Sequence, residues 1–163
     1  MNSVPAKSVV VGVISDTHGL LRPEAIAALA DVDYILHAGD VGDPEILNRL
    51  RHIAPLTAIR GNVDVAGVCS KLPPTDVVDL GGHLFYLVHA LEDLDIEPVA
   101  AGVSVVVYGH SHRHEVRQQR GVLYLNPGSA GPRRFHLPTT LAKVKISDES
   151  LLTNFVTLTP TVE

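Results

Sequence analysis

The sequence predicts a single α/β domain, and three observations indicate this fold class. Short runs rich in valine and isoleucine recur along the 163 residues, as expected of strands buried on both faces. Helix-like segments lie between most of the early runs, whereas the later part of the chain resembles strands alone. The length suits one domain with its own hydrophobic core, so we expect a single domain over residues 1–163.

Five apolar runs of seven or eight residues are predicted to be strands. They cover residues 8–15, 32–39, 55–61, 83–90 and 103–109. Beyond residue 115, a hairpin is expected around Gly121, followed by two further strands that turn near Asp148. The chain is therefore predicted to alternate strands and helices at first and to consist mostly of strands later.

Three helices are predicted between these strands. The first begins at Pro23, because proline followed by an acidic residue favours a first helical turn. The second has Asp43 as its N-cap and Pro44 at its first position. Its apolar stripe consists of Ile46, Leu47 and Leu50. A shorter helix is expected at about residues 95–101, where Pro98 falls in the first turn.

Composition and charge argue against several functions. The formal net charge is -5 and aromatic residues make up only 4% of the chain, which is unfavourable for strong nucleic-acid binding. The single cysteine, Cys69, rules out an intrachain disulfide and a zinc–thiolate cluster. The apolar run near the N-terminus is too short to span a membrane, so we expect a cytoplasmic protein with no membrane partner.

A residue of a metal-binding type follows each of the five apolar runs. These residues are Asp16 and His18, Asp40, Asn62, His89, and His110 with His112. Glycines stand next to most of them and allow the backbone to turn sharply out of a strand. Because loops converge at the carboxyl edge of an α/β sheet, we expect these side chains to lie close together.

The chemistry of these side chains indicates divalent cations. Carboxylate, amide and imidazole donors without thiolate suit Mn²⁺, Fe²⁺ or Zn²⁺. Seven donors are too many for one ion and suit two ions that share a carboxylate. Taken singly, each residue also fits a turn or a buried histidine. Their common position at the ends of successive strands favours a metal site.

The ordered motifs Asp-x-His, Gly-Asp, Gly-Asn-x-Asp, His and Gly-His-x-His resemble those of the calcineurin-like metallophosphoesterases. The likeness extends from about residue 9 to residue 134, and the segment 126–134 is similar to that of the small bacterial and archaeal phosphodiesterase branch. This resemblance implies a four-layer αββα sandwich, in which two mixed β-sheets are flanked by helices.

The same resemblance implies a dinuclear metal centre that activates a hydroxide to attack a phosphoester. Two divalent ions are implied, Mn²⁺ foremost, with Fe²⁺, Zn²⁺ or Ni²⁺ as alternatives. Asp40 would bridge the two ions. The other implied ligands are Asp16, His18 and His112 for the first ion, and Asn62, His89 and His110 for the second.

One departure from the family pattern concerns the proton donor for the leaving group. Many larger relatives carry a histidine at the position of Val63. His114 is kept as a candidate donor, against the alternative of a partly exposed bystander. Asp64 therefore lacks the histidine that usually accompanies it in the family, and both a turn role and a functional role stay open for it. Arg133 is a candidate contact to substrate phosphate, alongside Asn62, against the alternative of a solvated surface arginine.

The leading hypothesis is a metal-dependent phosphoesterase, specifically a phosphodiesterase acting on a small phosphoester. A non-catalytic protein-interaction scaffold on the same fold is the alternative, as in the retromer sorting subunit that the family also resembles. A nuclease is disfavoured by the acidic balance and the few aromatic residues. The sequence leaves open the substrate, the native metal and whether the chain forms a homo-oligomer.

Overall fold

The computed structural model describes residues 8–148 and 150–158, which form two five-stranded β-sheets with few helices. Three α-helices are present in this part of the chain: α1 (Pro23–Ala28), α2 (Pro44–Arg51) and α3 (Pro98–Ala101). The strands are β1 (Val9–Ile14), β2 (Tyr34–His37), β3 (Leu56–Ala58), β4 (Thr75–Leu80), β5 (His83–Val88), β6 (Val103–Val107), β7 (Glu115–Gln119), β8 (Val122–Asn126), β9 (Thr140–Ser147) and β10 (Ser150–Thr157).

Both sheets are mixed. The first has the strand order β10-β9-β1-β2-β3 and the second has the order β4-β5-β6-β8-β7. In the first sheet β1, β2 and β3 run parallel, and β9 and β10 join as an antiparallel hairpin. In the second sheet β5, β6 and β8 run parallel, with antiparallel β4 and β7 at the edges. Strands β1, β2, β3, β5 and β6 thus all precede a predicted metal-binding residue.

Three apolar clusters separate four layers, which confirms the αββα sandwich. Residues of both sheets, such as Val13 and Phe85, form the cluster between the sheets. A second cluster lies between the first sheet and helices α1 and α2. The third cluster lies on the outer face of the second sheet. The outer layer there is thin, because it consists only of α3 and residues 91–96. Apolar burial on both faces explains the valine-rich strands.

The first strand shows how tightly the helix layer packs. Val11 and Val13 face the second sheet, whereas Ile14 faces the helices. A side chain at Gly12 would meet Leu29 Cδ2 at 2.3 Å. The glycine is therefore a packing requirement, because it leaves room for the leucine that anchors the end of α1 against the sheet.

Helix α2 follows the predicted signals. Asp43 Oδ1 accepts a hydrogen bond from the Glu45 backbone N–H at 2.9 Å, and Pro44 occupies the first turn. The predicted stripe of Ile46, Leu47 and Leu50 is buried. Helix α3 ends at Ala101 as predicted, where Gly102 takes a left-handed conformation. It is shorter than predicted because it begins at Pro98, after an extended Glu97.

The predicted hairpins are present as β7–β8 and β9–β10. Strand β4 has no counterpart in the sequence prediction. Its sequence, TDVVDL, does not alternate cleanly, and it forms an edge strand through antiparallel pairing with β5. None of the helices in the described ranges is long and apolar enough to cross a membrane.

Candidate metal centre

The loops that follow β1, β2, β5 and β6 are joined by backbone hydrogen bonds at one end of the sandwich. The Asp16 N–H donates to Gly39 O at 3.0 Å and the His18 N–H donates to Asp40 O at 2.9 Å. In the second sheet, the Gly109 N–H donates to His89 O at 2.8 Å. Between the sheets, the His110 N–H donates to Asp16 Oδ2 and His89 Nδ1 lies 2.7 Å from Ala38 O, so the predicted metal-binding residues of both sheets are brought together.

A first cluster of donor atoms consists of Asp16, His18 and His112, whose ligand atoms all lie within 4.8 Å of one another. Asp16 Oδ1 lies 3.6 Å from His18 Nε2 and 3.5 Å from His112 Nε2. The other oxygen, Oδ2, accepts hydrogen bonds from Ser15 Oγ at 2.7 Å and from the His110 N–H at 3.1 Å. These two bonds leave Oδ1 directed at the imidazoles.

A second cluster consists of Asp40, His89 and His110, again with ligand atoms within 4.8 Å of one another. His89 Nδ1 lies 2.7 Å from the Ala38 carbonyl oxygen, which can only accept a hydrogen bond. The Nδ1 atom therefore carries the proton. In the neutral ring this leaves the lone pair on Nε2, the tautomer found in metal-bound histidines.

Asp40 lies between the two clusters. Its Oδ2 atom is 3.5 Å from His18 Nε2 and 3.1 Å from His89 Nε2, one imidazole from each cluster. Its Oδ1 atom accepts a hydrogen bond from the Val63 N–H at 3.0 Å. A single carboxylate oxygen thus faces donors from both clusters while the other oxygen is held by the backbone.

Buried polar atoms without partners support the fit of a cation. Asp16 Oδ1, His18 Nε2, His89 Nε2 and His112 Nδ1 are buried without a hydrogen-bond partner in the described part of the chain, although such atoms are normally paired. A carboxylate oxygen and an imidazole lone pair that face each other repel unless a cation or a proton lies between them. Carboxylate and imidazole donors without thiolate suit borderline divalent ions.

The pKa shifts of Asp16 and His89 also favour a cation at this site. Burial would raise the pKa of the Asp16 carboxyl, but His112, His18 and Ser15 hold that pKa far below its ordinary value. Burial would lower the pKa of His89, but the Asp40 carboxylate and the Ala38 carbonyl raise it above its ordinary value. A proton on His89 therefore competes with a metal cation for the same position.

Asn62, the seventh predicted ligand, is exposed and borders a cavity together with His89. The loop that carries it follows β3, and the neighbouring Gly61 packs directly against Asp40. A side chain at Gly61 would lie 2.2 Å from Asp40 Oδ1 and 2.4 Å from the Asp40 backbone nitrogen. The glycine allows the third loop to approach the other two.

The backbone of the site is strained at the candidate ligands themselves. Five of them have positive φ angles, from 46° at His18 to 73° at His110. The other three are Asp16, Asp40 and His112. Side chains other than glycine seldom adopt this left-handed region, which costs about 1–2 kcal/mol per residue. Such strain concentrates at functional sites, where the surrounding structure maintains it.

Asp64 maintains part of this arrangement. The carboxylate is buried and accepts hydrogen bonds from the backbone N–H groups of Val41, Gly42 and Gly61 at 2.9–3.1 Å. It therefore ties the loop after β2 to the loop after β3. These contacts favour the structural alternative for Asp64 over a direct role in chemistry.

Asn126 performs a similar task for the loop that carries His110 and His112. Its Nδ2 group donates to Gly109 O and to Ser111 Oγ, both at 3.1 Å. Nearby, Ser129 Oγ donates to Asp16 O at 3.0 Å. The segment that begins at Asn126 thus braces the loops after β1 and β6. The sequence pattern indicated only a likeness of this segment to one branch of the family and assigned Asn126 and Ser129 no role in the site.

His37 is fully buried behind the site and its hydrogen bonds are complete. Its Nδ1 accepts from the Gly39 N–H at 3.1 Å, so Nε2 carries the proton and donates to Thr17 Oγ1 at 3.0 Å. Thr17 Oγ1 in turn donates to Val41 O at 2.8 Å. Burial lowers the pKa of His37 to about 4, and the neutral ring links the loops after β1 and β2.

The remaining candidate residues lie at the periphery. The exposed His114 ring packs edge-on against Phe155, with 4.9 Å between ring centroids, a contact that favours the bystander alternative. Arg133 is exposed and donates to the His136 carbonyl. Val63, at the position where many larger relatives carry a histidine, is 46% exposed and its N–H donates to Asp40 Oδ1. This position therefore supplies no imidazole beside Asp40. A donor role for His114 and a phosphate contact for Arg133 stay predictions.

The two β-sheets deliver carboxylates and imidazoles to one edge, in two donor clusters of the kind that binds divalent metal ions. The calcineurin-like phosphoesterase superfamily domain matches residues 9–149. A probable metallophosphoesterase from Methanothermobacter thermautotrophicus is 32% identical over 154 residues, covering 86% of this chain and 88% of that protein. The chain belongs to the calcineurin-like phosphoesterase superfamily, as its motifs predicted.

Solved structures share the fold. The structure of a novel archaeal phosphodiesterase has a TM-score of 0.76 and 23% identity, covering 91% of this chain and 99% of that chain. Wild-type Vps29 from Entamoeba histolytica, in complex with Zn²⁺, has a TM-score of 0.67 and 23% identity, covering 93% of this chain and all of that chain (100%). At such identities the likeness shows the fold alone.

Proposed function

We propose that the protein is a dinuclear metal-dependent phosphodiesterase that cleaves a P–O bond of a small phosphodiester. The observation that carries this proposal is the position of Asp40 Oδ2, 3.5 Å from His18 Nε2 and 3.1 Å from His89 Nε2. One oxygen that faces both clusters is the arrangement needed for a carboxylate shared by two ions. The family membership and the name of the archaeal neighbour support phosphoester chemistry.

The residues that would hold the ions follow from the clusters. Asp16, His18 and His112 would bind the first ion, and His89 and His110 would bind the second, with Asp40 shared. Asn62, which lines a cavity together with His89, is proposed as a further ligand of the second ion. When bound, two divalent ions supply Lewis-acid polarisation of phosphate oxygens and a nucleophilic oxygen at neutral pH. We propose Mn²⁺ as the native ion, with Fe²⁺, Zn²⁺ and Ni²⁺ as alternatives.

The protein's own contribution is to orient donors and substrate. Ser15 and the His110 N–H fix the Asp16 carboxylate, and the Ala38 carbonyl fixes the His89 tautomer. Asn62 has an exposed side-chain amide beside His89, so we propose that it contacts both an ion and a substrate oxygen. These fixed positions reduce the reorganisation required as negative charge develops on the phosphoryl and leaving-group oxygens.

Val63 limits the range of leaving groups. With valine beside Asp40 and the His114 ring against Phe155, neither position places an acid over the site in the described chain. We therefore propose that esters of acidic alcohols, which depart without protonation, are cleaved faster than alkyl esters. A His114→Ala variant separates the alternatives for His114, because only a proton donor would slow alkyl esters when removed.

The experiment removes metal with a chelator and restores Mn²⁺, Fe²⁺, Zn²⁺, Ni²⁺ or Mg²⁺ singly before assaying nitrophenyl mono- and diesters. Metal-stimulated diester hydrolysis is expected, and Asp40→Asn should lose both ions and turnover. Asp79→Asn is the matched control, because it changes an exposed carboxylate at the opposite end of β4 from the cavity residue Thr75. Full turnover by Asp40→Asn would refute the shared carboxylate.

A protein-interaction scaffold is the second candidate function. It is favoured by a row of exposed apolar side chains beside the site, Val63, Val65 and Val68, of which Val65 is 80% exposed. The structural similarity to Vps29 is compatible with this candidate, because a scaffold of this kind would have the same fold. Failure of every metal to stimulate hydrolysis of any ester would favour the scaffold over the enzyme.

A further inference from the structure

A cavity of about 330 Å³ opens beside the second cluster of donor atoms. We propose that it binds the non-leaving substituent of the diester, and that this substituent is a small alcohol carrying a positive charge, such as an amino alcohol. This inference rests on the proposed phosphodiesterase function. The cavity is lined at one side by His89, Asn62 and Arg60, and its other charged residues are Asp93 and Asp95.

The connection to the metal centre is made by His89. This residue is only 5% exposed, it lines the cavity, and its Nε2 atom has no hydrogen-bond partner among the described residues. A phosphate bound at the second cluster would therefore have its substituent in or beside the cavity. A volume of this order matches a small substrate rather than a polymer.

The two acidic residues are held at the cavity by the chain that directly follows His89. The Asp93 N–H donates to Ala90 O at 2.9 Å, which closes the turn Leu91–Asp93 immediately after the ligand. Asp95 Oδ1 accepts a hydrogen bond from the buried Tyr86 hydroxyl at 2.6 Å. Both residues thus line the cavity on short, hydrogen-bonded segments of chain, and the Asp95 carboxylate is itself fixed.

Arg60 has a different environment at the same cavity. Its Nη1 group donates to the backbone carbonyls of Ser70 and Leu72. In the described ranges the arginine and lysine ion pairs involve Arg117 and Lys143, so Arg60 has no carboxylate partner there. The remaining guanidinium N–H groups suit a phosphate oxygen, and the cavity can accept an anion and a cation in one molecule.

These charges select among phosphodiesters. Two carboxylates repel a second phosphate and attract a positive substituent. A nucleic acid or a polyphosphate therefore fits the cavity less well than a zwitterionic diester. Because both carboxylates are solvent-exposed, we expect a preference of about two- to twentyfold in kcat/KM at low salt. The preference should fall towards one at high ionic strength.

The test compares three diesters that share the p-nitrophenolate leaving group, so that leaving-group chemistry is constant. They are p-nitrophenyl phosphorylcholine, ethyl p-nitrophenyl phosphate and the p-nitrophenyl ester of thymidine 5′-phosphate. The metal-loaded wild-type protein should show the highest kcat/KM with the choline ester. Preference for the thymidine ester would instead indicate recognition of hydroxyl groups or a base and would overturn the inference.

The double variant Asp93→Asn/Asp95→Asn should bring the ratio of the choline ester to the ethyl ester close to one. Glu92→Gln is the matched control, because it removes a charge from the same turn outside the residues that line the cavity. Isothermal titration with phosphocholine and with ethyl phosphate gives a readout independent of turnover. The double variant should lose its preference for phosphocholine.

The outcomes distinguish this inference from the proposed function. Hydrolysis of the ethyl ester with an unchanged ratio in the double variant would refute the cationic substituent and leave the phosphodiesterase intact. Absence of metal-stimulated hydrolysis of all three esters would refute both. A choline-to-ethyl ratio near one in the wild type would refute the inference without any variant, so a folding defect in the double variant would not protect it.

Discussion

The substitution Gly61→Ala is expected to weaken metal binding by acting on Asp40. The added Cβ would lie 2.2 Å from Asp40 Oδ1 and 2.4 Å from the Asp40 backbone nitrogen. Gly61 does not have a left-handed backbone, so alanine brings little conformational strain of its own. The effect of the substitution is therefore a steric one on the backbone and the carboxylate of Asp40.

The expected losses of stability and of metal affinity in Gly61→Ala depend on which atoms must move. The Asp40 backbone is held by a hydrogen bond from the loop after β1, so the loop that carries residue 61 must shift away from the Asp40 nitrogen and the carboxylate must rotate away from Val63. Overpacking of this kind typically costs about 1–3 kcal/mol of unfolding free energy. Misplacing a residue that orients metal ligands typically lowers metal affinity by about 10- to 100-fold.

The assay is isothermal titration of Mn²⁺ or Zn²⁺ into chelator-treated protein, with urea unfolding to measure stability. Gly12→Ala is the matched control, because its Cβ would meet Leu29 Cδ2 at 2.3 Å, in the helix layer away from the ligands. It should lose stability but keep its metal affinity. Wild-type metal affinity in a folded Gly61→Ala protein would refute the proposed role of this contact.

Three further predictions address the residues around the ligands. Asp64→Ala should lower the unfolding free energy by about 2–4 kcal/mol in urea unfolding, because three backbone N–H groups lose a buried carboxylate acceptor; a change below 1 kcal/mol would contradict this role of Asp64 in joining the two loops. The pKa of His37 is about 4 in the fold against an ordinary value of 6.5, so its contribution to stability is intact above pH 6.5 and is lost as pH falls towards 4. Chelator-treated wild type should lose up to about 3 kcal/mol over that window relative to His37→Gln, and equal pH slopes would contradict this. Val63→His should raise kcat/KM for alkyl phosphodiesters by about tenfold or more with little effect on nitrophenyl diesters, whereas equal effects on both would exclude an acid role at this position.

Much of the fold and of the candidate site is accessible from the sequence for physical reasons. Valine-rich runs mark strands buried on both faces, and Asp43 with Pro44 marks a helix start that the structure confirms. A donor residue just after a strand is placed by the strand itself, which is why Asp16, Asp40 and His89 could be grouped in advance.

Other features depend on contacts between distant segments. Asp64 binds backbone groups up to 23 residues away, and Asn126 donates to Gly109 across 17 residues. A local pattern contains no signal for such partners, so the role of Asp64 stayed open between a turn and a function, and no role in the site was assigned to Asn126. Strand β4 is likewise defined by its pairing with β5, since its own sequence has no regular alternation.

The left-handed backbone at five candidate ligands has a consequence for how this chain can evolve. At about 1 kcal/mol each, these conformations cost on the order of 5 kcal/mol, comparable to the whole stability of many domains. Glycine at any of the five positions would relieve strain and abolish a donor in one substitution. A lineage released from selection for metal binding therefore gains stability as it loses the site. Non-catalytic descendants of this fold are thus favoured thermodynamically, without any new partner having to be acquired first.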